Sequence, residues 1–163
     1  MRKPSRRVEL NDIIANQILG DDPEVIALVM KVHLALEAIL IEMISSFRTD
    51  DKIFKLSFPA KADLLEKEAL ISTHDRKAFD RFNEFRNDFA HVFGYQVSLA
   101  DALALARDLE DEGVDFSDSV GRYSPEAATE YYGGMLGVLE EIGWCVLSHA
   151  SYCLSDAGGR SIV

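Results

Sequence analysis

Apolar residues recur along the chain with the three-to-four-residue spacing of amphipathic helices, and runs alternating with period two are nearly absent. Helix start signals recur with the same regularity. Asp21-Asp22-Pro23-Glu24 offers an N-cap, a proline in the first turn and an early acid, and predicts a helix from Pro23 to about Phe47, ending at the polar break RTDDK. Ser57 before Phe58-Pro59 predicts a shorter helix to about Leu70. Ser72-Thr73-His74-Asp75 reads as a capping box with Asp in place of Glu, opening a third helix to about Phe93. Ser98-Leu99-Ala100-Asp101 repeats that pattern, with Gly113 as a left-handed stop. Ser124-Pro125-Glu126 opens a final helix toward Leu154, with Gly133-Gly134 as its kink. The expected architecture is an all-α, up-and-down bundle of about five helices. It forms a single domain over 1–163, with residues 1–20 as a basic N-terminal extension. The 113–123 loop and the 156–163 tail are expected to be flexible.

The first helix is apolar almost all round, which predicts a central position or a subunit interface. His33 and Glu37 interrupt it one turn apart and need polar partners if buried. On the third helix, Phe79, Phe82, Phe85, Phe89, Ala90, Val92 and Phe93 cover one arc of the wheel. Asn83, Glu84, Asn87, Asp88 and His91 lie opposite. Arg86 falls inside the phenylalanine arc, where a guanidinium must snorkel outward or meet a carboxylate; Glu37 is the expected partner. His91 is one turn from Asn87, so the two side chains can bond or face a common ligand. Arg86 and His91 are about 140° apart on an ideal wheel, so one helix alone does not bring them together.

With 163 residues, 48% of them hydrophobic, the chain can fill one core; domains near this size bury roughly 70% of their unfolded surface. No apolar stretch follows the basic start MRKPSRRVEL, so no signal peptide is expected. Lys31, His33, Glu37 and Glu42 break up the longest apolar run, so no membrane span is expected either. Cys145 and Cys153 are eight residues apart on one helix, about 12 Å along its axis, too far to bridge. Reduced core thiols and a cytoplasmic location are expected. No zinc-type Cys/His spacing is read, and neither metal nor cofactor is expected.

A net charge of −11 argues against direct DNA binding, which draws on basic residues that neutralise phosphates. The charge is uneven. From Asp101 to Asp118 seven acids face Arg107, whereas the stretch from His74 to His91 balances its charges.

The RNDFAH sequence of residues 86–91 resembles the signature of the HEPN superfamily of helical bundles. Residues 33–51 (HLALEAILIEMISSFRTDD) and 56–72 (LSFPAKADLLEKEALIS), with an acid at Glu37 and a base at Lys61, narrow the resemblance to the mannitol operon repressor (MtlR-like) group. It covers roughly residues 25–95. Membership of that group implies a transcriptional regulator that acts without a DNA-reading motif. The acidic charge and the apolar first helix favour a non-catalytic module that binds a protein partner, and the apolar surface of the first and last helices predicts a homodimer. The wider superfamily implies the alternative, a metal-independent endoribonuclease of toxin type. There Arg86, Asn87 and His91 would be catalytic and RNA the partner, with the ribose 2′-hydroxyl attacking the adjacent phosphate. On either reading, Glu37, His33 and Arg86 are expected to form a structural network. A third arrangement, a metal enzyme on Asp88, His91 and Glu37, lacks the second ligand pair that dinuclear bundles use.

Overall fold

The structure, a computed structural model, describes residues 23–91 and 97–159, and of Ala90 and His91 it describes the backbone alone. It is an all-helical bundle with no strand among those residues. Six α-helices follow in order: α1 (Pro23–Ser45), α2 (Phe58–Lys67), α3 (Thr73–His91), α4 (Leu99–Asp111), α5 (Pro125–Tyr132) and α6 (Met135–Asp156). Two 3-10 turns, Asp51–Lys55 and Val120–Arg122, sit in the connections. None of the described helices is long and apolar enough to cross a membrane.

The caps explain where the helices begin. Ser57 accepts a hydrogen bond from the Ala60 amide, and Ser124 accepts one from the Ala127 amide, each with a proline in the first turn. Ser72 and Asp75 exchange side-chain and backbone bonds across the start of α3, and Ser98 and Asp101 do the same for α4. At the far end of α4, Gly113 takes a left-handed φ of 92°. The Val114 amide reaches back to the Leu109 carbonyl and the Gly113 amide to that of Glu110, closing the helix while Val114 packs inside.

α1 and α6 make the most extensive helix–helix contact, and α2 to α4 wrap around this pair. α1 buries Val25, Val29, Val32, Leu36, Ile39, Leu40, Met43 and Ile44, which form one core with Val138, Leu139, Ile142 and Val146 of α6. Gly143 marks the closest approach between the two helices: a Cβ there would lie 2.8 Å from a methyl group of Val32.

Three expectations are corrected. The final helix is not kinked but divided into α5 and α6, because Gly133 and Gly134 take φ of 79° and 107°, conformations that end one helix and start another. The division brings Gly137 under the Tyr132 carbonyl, where no side chain fits. The 113–123 loop is packed down by Val114, Phe116 and Val120, all buried, and by Arg107, whose Nη1 donates to the Gly121 carbonyl at 2.8 Å. Helix α1 stops at Ser45, two residues early, where the Ser46 and Arg48 amides close its end. The 1–20 extension, the Asp21-Asp22 cap and residues 160–163 of the tail lie outside the described residues.

Candidate functional site

The polar residues that interrupt α1 meet α2 and α3 in an interior seam. His33, 5% exposed, donates from Nε2 to the Asn83 Oδ1 of α3 at 2.9 Å, and its ring lies against Phe58 of α2 at a centroid distance of 4.8 Å. Burial lowers its pKa, helped by the positive charges of Arg86 and Lys61 and opposed by the Asn83 bond and Glu37. The imidazole is therefore neutral at pH 7, with its proton on Nε2. Its Nδ1 is sealed from solvent with no partner among the described residues.

One turn further along α1, Glu37 receives the Lys61 ammonium at 2.8 Å. Lys61 is 1% exposed; its stem runs through the core, and its Nζ also donates to the Leu56 carbonyl at 2.6 Å. This overturns the expected Glu37–Arg86 pair. The basic residue of α2 lies against α1 and reaches the carboxylate first.

Arg86 has no carboxylate within ion-pair distance among the described residues. It is half-buried, its Nη1 donates to the Asn87 Oδ1 of its own helix at 2.9 Å, and its Nε is sealed without a partner. Asn87 is thus engaged by Arg86. The His91 side chain lies outside the described residues, and with it the expected Asn87–His91 pairing. Asn83 also departs from the wheel: although opposite the phenylalanines, it is buried, because α1 covers that side of α3 and offers His33. Of the residues singled out, the fold brings His33, Asn83 and Arg86 into one neighbourhood and gives Glu37 to Lys61. The metal set Asp88, His91 and Glu37 loses Glu37 to that ammonium.

Outside the seam, the acids of α2 and α4 are largely engaged. Arg76 bridges Glu66 and Asp80, Arg81 meets Asp108 at 2.7 Å, and His74 meets Glu112 at 2.7 Å. These are mostly surface contacts, and exposed pairs of this kind add little stability. Both cysteines are free and buried, and burial pushes each thiol up to about 12.

Sequence reading missed two partners and one cluster. Lys61 and Asn83 were visible as residues but not as the mates of Glu37 and His33. The cluster joins Asp75 of α3 to His149 and Cys153 of α6, with His149 Nε2 at 2.7 Å from Asp75 Oδ1. Its signal was the four-residue spacing of His149 and Cys153, which sets both on one face of a helix. Comparison of the chain with protein-family models, curated proteins and solved structures finds no match.

Proposed function

We propose that this chain is a regulatory, protein-binding helical domain of the MtlR-like kind: a cytoplasmic, homodimeric, non-catalytic transcriptional regulator without a DNA-reading motif of its own. The observation that carries this reading is the use made of the motif helix. Asn83 and Arg86 face inward, Asn83 holding His33 and Arg86 holding Asn87, so these polar groups serve the fold. The net charge of −11 adds electrostatic repulsion from nucleic acid. Leu34 on α1 and Trp144 on α6, 59% and 61% exposed, supply apolar surface of the kind that a partner or a second copy covers.

A second reading, the HEPN-type ribonuclease, draws on one observation: Arg86 carries a cation with no carboxylate to neutralise it among the described residues, which leaves it free to meet an anion. His91 would then be its proton-transfer partner.

The test uses the purified chain at physiological salt. Light scattering should give the mass of a dimer at micromolar concentration, and fluorescence anisotropy should detect no binding to mixed duplex DNA fragments. A monomer that binds DNA tightly contradicts the proposal.

A further inference from the structure

Where the first turn of α3 meets the last third of α6, three side chains of different chemistry converge. Asp75 is fixed by the capping box: its Oδ2 accepts from the Ser72 amide at 2.7 Å, and its own amide donates to the Ser72 hydroxyl. That leaves Oδ1 aimed at α6, where His149 Nε2 meets it at 2.7 Å. The His149 ring is braced edge-on by Phe79, with centroids 6.1 Å apart. Cys153, one turn beyond His149, completes the group, and the carboxylate oxygen, ring nitrogen and sulfur all lie within 4.8 Å of one another.

Asp75 thus joins the other two, meeting His149 Nε2 at 2.7 Å and hydrogen-bonded to the Cys153 thiol, so that one carboxylate gathers a nitrogen and a sulfur from the same face of α6. A tetrahedral zinc ion with bonds of roughly 2.0–2.3 Å holds its ligand atoms roughly 3.3–3.8 Å apart, so on binding Asp75 Oδ1 and His149 Nε2 would part from 2.7 Å and give up their hydrogen bond, while the sulfur stays within 4.8 Å of both. A set of one nitrogen, one oxygen and one sulfur ligand suits a cation of borderline softness. The cluster also borders an open groove of ≈ 500 Å³, lined among others by Glu66, Thr73, Tyr152 and Asp156, which gives an ion a route in and leaves room for a further ligand. Cys145, equally buried, also has a carboxylate beside it, Glu141 at 3.5 Å, but belongs to no three-ligand group among the described residues.

We propose that Asp75, His149 and Cys153 form a three-ligand site for a zinc-class divalent cation, with its fourth position open to the groove. The ion would clamp the start of α3 to α6 and stabilise the contact between them. This inference stands apart from the function proposed above, since it uses none of the residues of the His33–Arg86 seam.

The experiment titrates the reduced, metal-free full chain with Co²⁺ and then Zn²⁺. The expected result is one equivalent of cobalt with thiolate-to-cobalt charge-transfer absorption, displaced by zinc, and a melting temperature raised by zinc. Cys153→Ser should abolish that absorption and Cys145→Ser should keep it, while Asp75→Asn and His149→Gln should weaken binding by about tenfold or more. On the wild type itself, zinc should slow alkylation of Cys153 but not of Cys145, read by mass spectrometry, so the outcome does not depend on any variant folding. Absence of thiolate absorption at one equivalent overturns the proposal. So does absorption that survives Cys153→Ser or disappears in Cys145→Ser.

Discussion

Where α1 packs on α6, the contact is dry: Val32 seats against Gly143, and the surrounding positions are aliphatic and sealed. Where α1 meets α2 and α3, the same helix presents His33 and Glu37, and both are matched by polar side chains that reach in from other helices. The dry contact gains from the removal of apolar surface from water and from close packing. The seam must first offset the desolvation of a lysine, a carboxylate, an imidazole and an amide, so its net gain is small although breaking it is costly. The first region holds the bundle together, and the second sets which residues of α2 and α3 lie opposite which residues of α1.

The largest effect should come from emptying the dry contact. Ile142 is fully buried on α6, and Ile142→Ala should cost about 2–5 kcal/mol, including the cavity left behind. Thermal denaturation followed by circular dichroism reads this directly. A loss under 1 kcal/mol would show that the α1–α6 contact is not the main support of the fold.

Lys61→Met tests the seam at its most buried charge. The methionine fills most of the space of the stem but strips Glu37 and the Leu56 carbonyl of their donor. Because the Glu37 side chain keeps 28% of its surface, the expected loss is about 2–3 kcal/mol, below the 3–5 of a fully buried pair. Glu37→Gln with Lys61→Met should recover part of it, since the orphaned charge is then gone. An equal or greater loss in the double variant would contradict the pairing.

The pH dependence isolates His33. Its pKa in the folded state is lowered, so below its ordinary value of 6.5 the unfolded chain takes up a proton that the native protein refuses. Stability is therefore full above that pH and falls as the pH drops through 6.5, with a slope from this group of at most about 1.4 kcal/mol per pH unit. Asp75, also lowered, loses its contribution only on titration below its ordinary 3.8, so the two fall in separate windows. Urea denaturation between pH 5 and 7.5 should show the slope in the wild type and a flatter profile in His33→Gln. An unchanged profile in the variant would remove His33 as its source.

The smallest change is expected at Arg86. With no carboxylate to abandon and a sealed Nε without a partner among the described residues, Arg86→Met at this half-buried position should be neutral or stabilising by up to about 1 kcal/mol. It should also raise the His33 pKa toward its ordinary value, because the Arg86 charge is one of the causes holding it down.

The same contrast explains what could be read from the chain. Helical periodicity and the Ser57, Ser72, Ser98 and Ser124 caps act within a few residues of sequence, and each of those caps stands where the pattern put it. The core of α1 follows from composition for the same reason. Partner choice in the seam is a tertiary matter: α2 had to be positioned before Lys61 could be seen to reach Glu37 ahead of Arg86. The wheel put Asn83 on the polar side of α3 correctly as a periodicity, but it carries no record of which helix covers that side. The division of the last helix was half legible. The Gly133-Gly134 pair marked the place, while the close approach of Gly137 to the Tyr132 carbonyl, which fixes the geometry of the break, depends on the fold.

The most direct test of the central claim, that the RNDFAH helix serves the interior and not catalysis, is a paired measurement on wild type and Arg86→Met. Both are incubated with mixed tRNA and mRNA in chelator, and both are melted. The account predicts intact RNA with each protein and a variant at least as stable as the wild type. Wild-type cleavage leaving 2′,3′-cyclic phosphate ends, lost in a folded Arg86→Met, would contradict it and establish the ribonuclease.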